Sequence, residues 1–241
     1  MIDSIGQKVP APFTLLKKRS PYHPNKRGKE LDRFGNPEFN AQASVLLAIL
    51  SESYPVYLTN DGDLTISIFR SCAFNQQTSV GTSTWHLSGE DWCELTCLGQ
   101  WQIERCKKSL CDSGTLLQSL EGYPAKAFYQ YVGKNMEEAG EGNFIFYPGL
   151  SSKVGFKSAA LFCWLLELDK QFEAQGYFFH LKMADIQQSL GLSRYQVDQA
   201  RKKLIEHNLL KERFWGIPAV REFRLRLDGL EQLVAEKGAS E

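Results

Sequence analysis

Several kinds of chemistry are missing from this chain. None of its cysteines (Cys72, Cys93, Cys97, Cys106, Cys111 and Cys163) forms a Cys-x-x-Cys pair, so the spacing of a zinc site or a redox motif is absent. Histidines number four: His23, His86, His180 and His207. There is no Gly-x4-Gly-Lys-Ser/Thr phosphate loop, no Gly-x-Ser-x-Gly and no His-Glu-x-x-His. The adjacent carboxylates Glu90-Asp91 and Glu137-Glu138 do not converge on one point. An enzyme is therefore not expected, and no metal or cofactor is implied. No apolar run reaches the roughly 20 residues that cross a membrane. The opening MIDSIGQKVP lacks the charged and apolar regions of a signal peptide, so a cytoplasmic location is expected. Net charge is absent too: 28 Lys and Arg stand against 28 Asp and Glu. That balance excludes a general nucleic-acid coat and leaves room for a local basic patch.

What is present concentrates in Asp185–Leu227. Ile186, Leu190, Leu192, Val197, Ala200 and Leu204 have the apolar spacing of two crossed helices. Gly191 sits at the turn between them, and Ser193 is placed to cap the second helix. Leu210, Phe214, Phe223, Leu225 and Leu227 then follow with period two, on one face of two strands joined at Gly216-Ile217-Pro218-Ala219. Helix, turn, helix and hairpin in this order are the layout of a winged-helix domain.

The stretch from Trp85 repeats the motif at a constant offset of 94 residues. His86-Leu87 matches His180-Leu181, Gln102 matches Gln196, Lys108 matches Lys202 and Leu116 matches Leu210. Gly122, Pro124 and Ala125 match Gly216, Pro218 and Ala219, a turn in one register that shared hydrophobicity alone does not produce. An internal duplication explains this. It places Cys106 opposite Ala200 and Cys111 opposite Ile205, which favours packing over metal ligation.

The expected fold is α+β and mostly helical, with two winged helix-turn-helix domains related by duplication. Residues 1–38 form an arm in which Lys8, Lys17, Lys18, Arg19, Lys26, Arg27, Lys29 and Arg33 outnumber the acids and prolines interrupt any helix. It is either a solvated tail or a basic arm that reaches a DNA backbone or minor groove. The first domain spans 39–135. It opens with a short buried helix, Ala43–Leu50, taken as the counterpart of Ala159–Leu168. A hairpin over 55–69 around Asn60-Asp61-Gly62 and a polar loop over 70–84 follow. Residues 136–150 read as a linker. The second domain spans 151–241 and ends in a helix carrying Leu230, Leu233 and Val234 on one face.

The two copies differ in charge. Residues 34–150 hold six Lys and Arg against thirteen Asp and Glu; residues 151–241 hold fourteen against twelve. Phosphate contacts supply most of the non-specific affinity for DNA, so the second copy is the DNA-binding candidate. On its second helix, Arg194, Tyr195, Gln196 and Gln199, after the cap Ser193, are placed to meet base edges. Lys202, Lys203, Lys211, Arg213, Arg224 and Arg226 suit phosphates. In the first copy Leu117, Ser119, Gln130 and Val132 stand where Lys211, Arg213, Arg224 and Arg226 stand in the second. Leu117, Phe128 and Val132 therefore read as a contact surface, covered by a protein partner or by the chain's own arm or hairpin.

The segment KKLIEHNLLKERFWGIPAVREFRLRLDGL resembles the winged-helix segment of replication-associated proteins of phages and plasmids. The tandem arrangement is similar to that of plasmid replication initiators. The resemblance implies an N-terminal domain used for homodimerisation and a C-terminal domain that is the main contact to repeated origin sites on double-stranded DNA. It implies a role in initiating or controlling replication of a mobile element. The alternatives are a transcriptional regulator, such as a repressor, built from the same parts and, third, a protein–protein adaptor.

Overall fold

The computed structural model describes residues 38–58, 63–80, 84–133, 143–172, 174 and 176–238. The expected arm, apart from Glu38, lies outside the described residues, as do Asn60-Asp61-Gly62 and residues 136–142 of the expected linker. The described chain is α+β and mostly helical. No described helix is long and apolar enough to cross a membrane.

After helix α1 (Phe39–Leu50), the chain departs from the expected hairpin and loop. Strand β1 covers Tyr54–Tyr57 and helix α2 covers Leu64–Val80. Asp63 starts this helix: its Oδ1 accepts from the backbone N–H of Thr65 (2.9 Å) and Ile66 (3.2 Å), as a capping carboxylate does. The second strand of the expected hairpin is instead helical: its buried residues are Leu64, Ser67, Ile68, Phe69, Ser71, Cys72 and Ala73, with the three- and four-residue spacing of a helix face. Two serines complete an otherwise apolar face, and Ser71 Oγ accepts from the backbone N–H of Tyr57 (3.1 Å). The polar composition of 70–84 is used similarly. Gln77 Oε1 accepts from Trp85 Nε1 and from the Tyr131 backbone N–H, both at 3.0 Å.

The chain continues through β2 (Trp85–His86), α3 (Gly89–Thr96), α4 (Gln100–Asp112), β3 (Leu116–Glu121) and β4 (Lys126–Tyr131). Residues 143–150 are not linker: β5 (Asn143–Phe146) and the start of α5 (Pro148–Val154) occupy them. Then come α6 (Phe156–Gln171), β6 (Phe179–His180), α7 (Met183–Leu190), α8 (Arg194–Glu206), β7 (Leu210–Trp215), β8 (Val220–Leu225) and α9 (Leu227–Gly238).

The order α2-β2-α3-α4-β3-β4 is thus followed by α6-β6-α7-α8-β7-β8. Each unit holds one three-stranded antiparallel sheet, ordered β2-β4-β3 in the first and β6-β8-β7 in the second. Shifting α6 back by 94 places it on 62–77, over α2. At this offset α6 falls on α2 and not on Ala43–Leu50, the stretch expected to match Ala159–Leu168. Local geometry keeps the same offset. His86 Nδ1 lies 2.7 Å from the Ala127 carbonyl, and His180 Nδ1 lies 2.8 Å from the Arg221 carbonyl. Cys97 and Gly191 end their helices with φ of 53° and 61°, and Gly122 and Gly216 take φ of 81° and 88° at the hairpin turns. These φ values favour glycine; Cys97 takes its place with its thiol donating to the Pro148 carbonyl at 3.1 Å.

Strands β1 and β5 join the two units in a two-stranded antiparallel sheet, with Tyr54 opposite Phe146 and Val56 opposite Phe144. All four are buried in one core that runs through both units. Helix α1, grouped by sequence with the first domain, packs on α5, α6 and α9. Lys237 of α9 donates to the carbonyls of Ile49 (3.0 Å) and Leu50 (3.2 Å), closing the last turn of α1.

Candidate nucleic-acid interface

Helix α8 is fixed from its first residue. Ser193 Oγ accepts from the Gln196 backbone N–H (3.3 Å), and Gln196 Oε1 accepts from the Ser193 backbone N–H (2.9 Å). This reciprocal cap occupies the Ser193 hydroxyl and one side of the Gln196 amide. Ser193 therefore sets the pose of the helix, and Gln196 keeps its Nε2 donors for a ligand. Val197, Ala200 and Leu204 are buried, which turns Tyr195, Gln199 and Lys202 outward, with Arg194 and Lys203 exposed at the flanks. Tyr195 is 71% exposed.

Arg201 locks this helix to the hairpin. It is 8% exposed and ion-paired with Asp198 on its own helix and with Glu212 on β7, where the Arg201 Nη2 to Glu212 Oε2 distance is 2.7 Å. Sequence reading missed this arginine, which lies among surface cations and carries no pattern of its own. The Glu212 contact also decides which face of the hairpin α8 sees. Successive strand residues point to opposite faces. Glu212 shares its face with Leu210, Phe223 and Leu225, which are buried, and with Phe214 and Arg221 nearer the tip. Lys211, Arg213 and Arg224 lie on the other face.

The expected site is therefore divided. Lys211 and Arg224 are opposite each other in the ladder, and Arg213 is ion-paired with Glu222 (2.7 Å). Phe178, preceding β6, stacks under this group, 4.0 Å from the Arg213 guanidinium and 5.9 Å from that of Arg224. Arg226 is ion-paired with Asp228, whose carboxyl it holds below the usual carboxylate range through their hydrogen bond. The cation that shares the α8 side of the hairpin is Arg221, over the Phe214 ring at 5.0 Å. Sequence analysis did not select it. The signal was available: in period two, Arg221 falls in step with Phe223 and Leu225. Phe214 leaves the buried face expected for it, and Leu227 packs half-buried against the core from a helix and not from a strand. Phe214 is 63% exposed because the hairpin extends past the helix, and Leu227 begins α9.

No known protein family, curated protein or solved structure gives a significant match to this chain.

In the first unit, Leu117 and Phe128 share the outer face of β3–β4, with Val132 just beyond the strand in the same period. Leu117 and Val132 are exposed, and Phe128 is half-buried with its ring 5.6 Å from that of His86. The expected cover of this face by a 55–69 hairpin is absent, since that segment is β1 and α2. The position of Arg201 is taken by Lys107, also 8% exposed, near Glu104 and the rings of Trp92 and Tyr129. Burial of the thiols in both units pushes Cys72 and Cys163 up to about 12 and Cys106 up to about 11, so all three stay protonated near neutral pH.

The second helices of the two units flank common clefts. Trp101, Gln102 and Arg105 of α4 line one cleft with Gly191, Leu192 and Gln196 of the second unit; Asp63 and Lys157 complete its ends. Gln102 also lines an adjoining cleft with Tyr195, Gln199 and Lys203.

Proposed function

We propose that this chain is a sequence-specific double-stranded DNA-binding protein, built of two winged helix-turn-helix domains that arose by duplication, and that it initiates or controls replication of a mobile element. The observation that carries the reading is the exposed row of α8. Arg194, Tyr195, Gln199 and Lys202 stand outward on a helix capped at its start and locked to a hairpin, with Arg221 on the same side. Arg194 and Gln199 read base edges; Lys202, Lys203 and Arg221 hold phosphates. Lys211, Arg213 and Arg224 sit behind the hairpin and make no direct contact in this pose. The replication role rests on the resemblance to plasmid and phage proteins. A second copy of the chain docks on the apolar outer face of the first domain through Leu117 and Val132.

Binding isotherms on a duplex selected from random DNA test the pose. Arg194→Ala lowers discrimination against one base position by about 1–3 kcal/mol. Arg221→Ala weakens all duplexes alike and reduces the slope of log affinity against log salt by about 0.9. Arg224→Ala leaves both quantities unchanged. An Arg224→Ala effect as large as that of Arg221→Ala would place the duplex on the other face of the hairpin. Footprinting then separates the processes: direct repeats beside an AT-rich segment mark replication, and a palindrome over a promoter marks a transcriptional regulator.

A further inference from the structure

The cleft between α4 and α8 has features that a duplex-reading helix does not require. Trp101 and Tyr195 occupy equivalent positions on the two helices and are 75% and 71% exposed. Each flanks one lobe, of about 470 Å³ beside Trp101 and about 320 Å³ beside Tyr195. Gln102 and Gln196 line both lobes. Each turns its Oε1 onto the backbone N–H at the start of its own helix, Gly99 at 3.1 Å and Ser193 at 2.9 Å. That fixes the amide orientation and leaves Nε2 donors for the cleft. Lys157 lines both lobes and Lys203 the smaller one; Arg105, paired with Asp63 at 2.9 Å, borders the larger. The lining is aromatic faces, amide donors and cations.

We propose that this cleft binds unpaired nucleotides of single-stranded DNA. Bases within a duplex hide their faces in the stack, so an exposed ring gains a stacking partner only from an unpaired base. The lobes have room for a base and its sugar. The glutamine Nε2 groups donate to base carbonyl oxygens and ring nitrogens, and Lys157 and Lys203 meet the phosphates. The strand crosses between the units, with one aromatic platform supplied by each. This inference rests on the nucleic-acid part of the proposed function and not on its duplex pose.

Fluorescence anisotropy of the full chain with a labelled oligothymidylate of about 12 nucleotides tests it, beside the selected duplex. Trp101→Ala is expected to weaken single-strand binding at least about fivefold, the lower end of one base-stacking contribution, and to leave duplex affinity within about twofold. Trp101→Phe keeps a ring and is expected to restore most of the loss. Arg194→Ala, outside the cleft, is expected to spare single-strand binding. Unchanged single-strand affinity in Trp101→Ala, or equal losses on both ligands, would overturn the inference. So would displacement of the strand by thymidine monophosphate at a concentration matching the strand's own, which would make the cleft a mononucleotide pocket. Duplex binding without single-strand binding overturns this inference alone; binding to neither ligand overturns the proposed function with it.

Discussion

Arg201 shows how one side chain holds a helix in place. Its guanidinium joins Asp198 on α8 to Glu212 on β7 while almost fully buried. Removing it strands the Glu212 carboxylate, whose side chain is only 14% exposed, without a cation. Loss of one partner from a buried ion pair typically costs about 3–5 kcal/mol. Arg201→Ala is therefore expected to lower unfolding stability by roughly that amount, measured by urea denaturation, and to loosen the hairpin against the helix. Lys107 of the first unit is equally buried but is paired only with the exposed Glu104, and Gln118 stands at the offset position of Glu212, so Lys107→Ala is expected to cost less. A comparable loss from the two variants would mean that packing, and not the ion pair, fastens α8. Ser193 acts at the same scale: its hydroxyl organises the first turn of α8 and with it the pose of Arg194 and Tyr195.

Among the elements, α9 is held by a close backbone approach at Gly229. A Cβ built on Gly229 would lie 2.4 Å from the His207 carbonyl oxygen and 2.6 Å from that of Asn208. Gly229→Ala must push α9 away from the end of α8, and overpacking of this kind costs about 1–3 kcal/mol. The expected signature is a lower thermal midpoint together with faster hydrogen exchange in α1, which α9 covers. An unchanged midpoint would show that α9 docks loosely. The elements legible in the sequence were those whose buried face is marked by regularly spaced apolar residues, α7, α8, β7 and β8, although Ser189 and Arg201 are buried beside them. Helix α2 was illegible because its stripe includes Ser67 and Ser71, buried through tertiary contacts that no local pattern announces. The face of the hairpin cations was legible as outward; that outward meant away from α8 was not, because it is set by the Arg201–Glu212 contact between two elements, which no pattern within either one announces. Strand β5 was hidden in an acidic, glycine-containing stretch whose apolar end pairs with β1, nearly ninety residues away.

Across the whole molecule, the antiparallel pair β1–β5 sets how the units face each other. Each strand precedes the first long helix of its unit, so the pairing resembles a self-complementary two-fold contact within one chain. This arrangement brings α4 and α8 to a common cleft. Dimeric helix-turn-helix readers instead hold their second helices about 34 Å apart, one turn of duplex. A major groove about 12 Å wide admits one helix, so in the proposed pose one chain offers a single duplex-reading helix. The excess of acidic residues over 34–150 and the cations of α8 and its hairpin favour the second unit for the proposed role. The measurement that bears most directly on this is the affinity of the full chain for its selected duplex between about 50 and 200 mM salt. The expected result is a straight line of log affinity against log salt with a slope of roughly −2 to −3, since Lys202, Lys203 and Arg221 contribute about −0.9 each. A slope near zero would contradict the assignment of α8 and its hairpin as a DNA-binding surface.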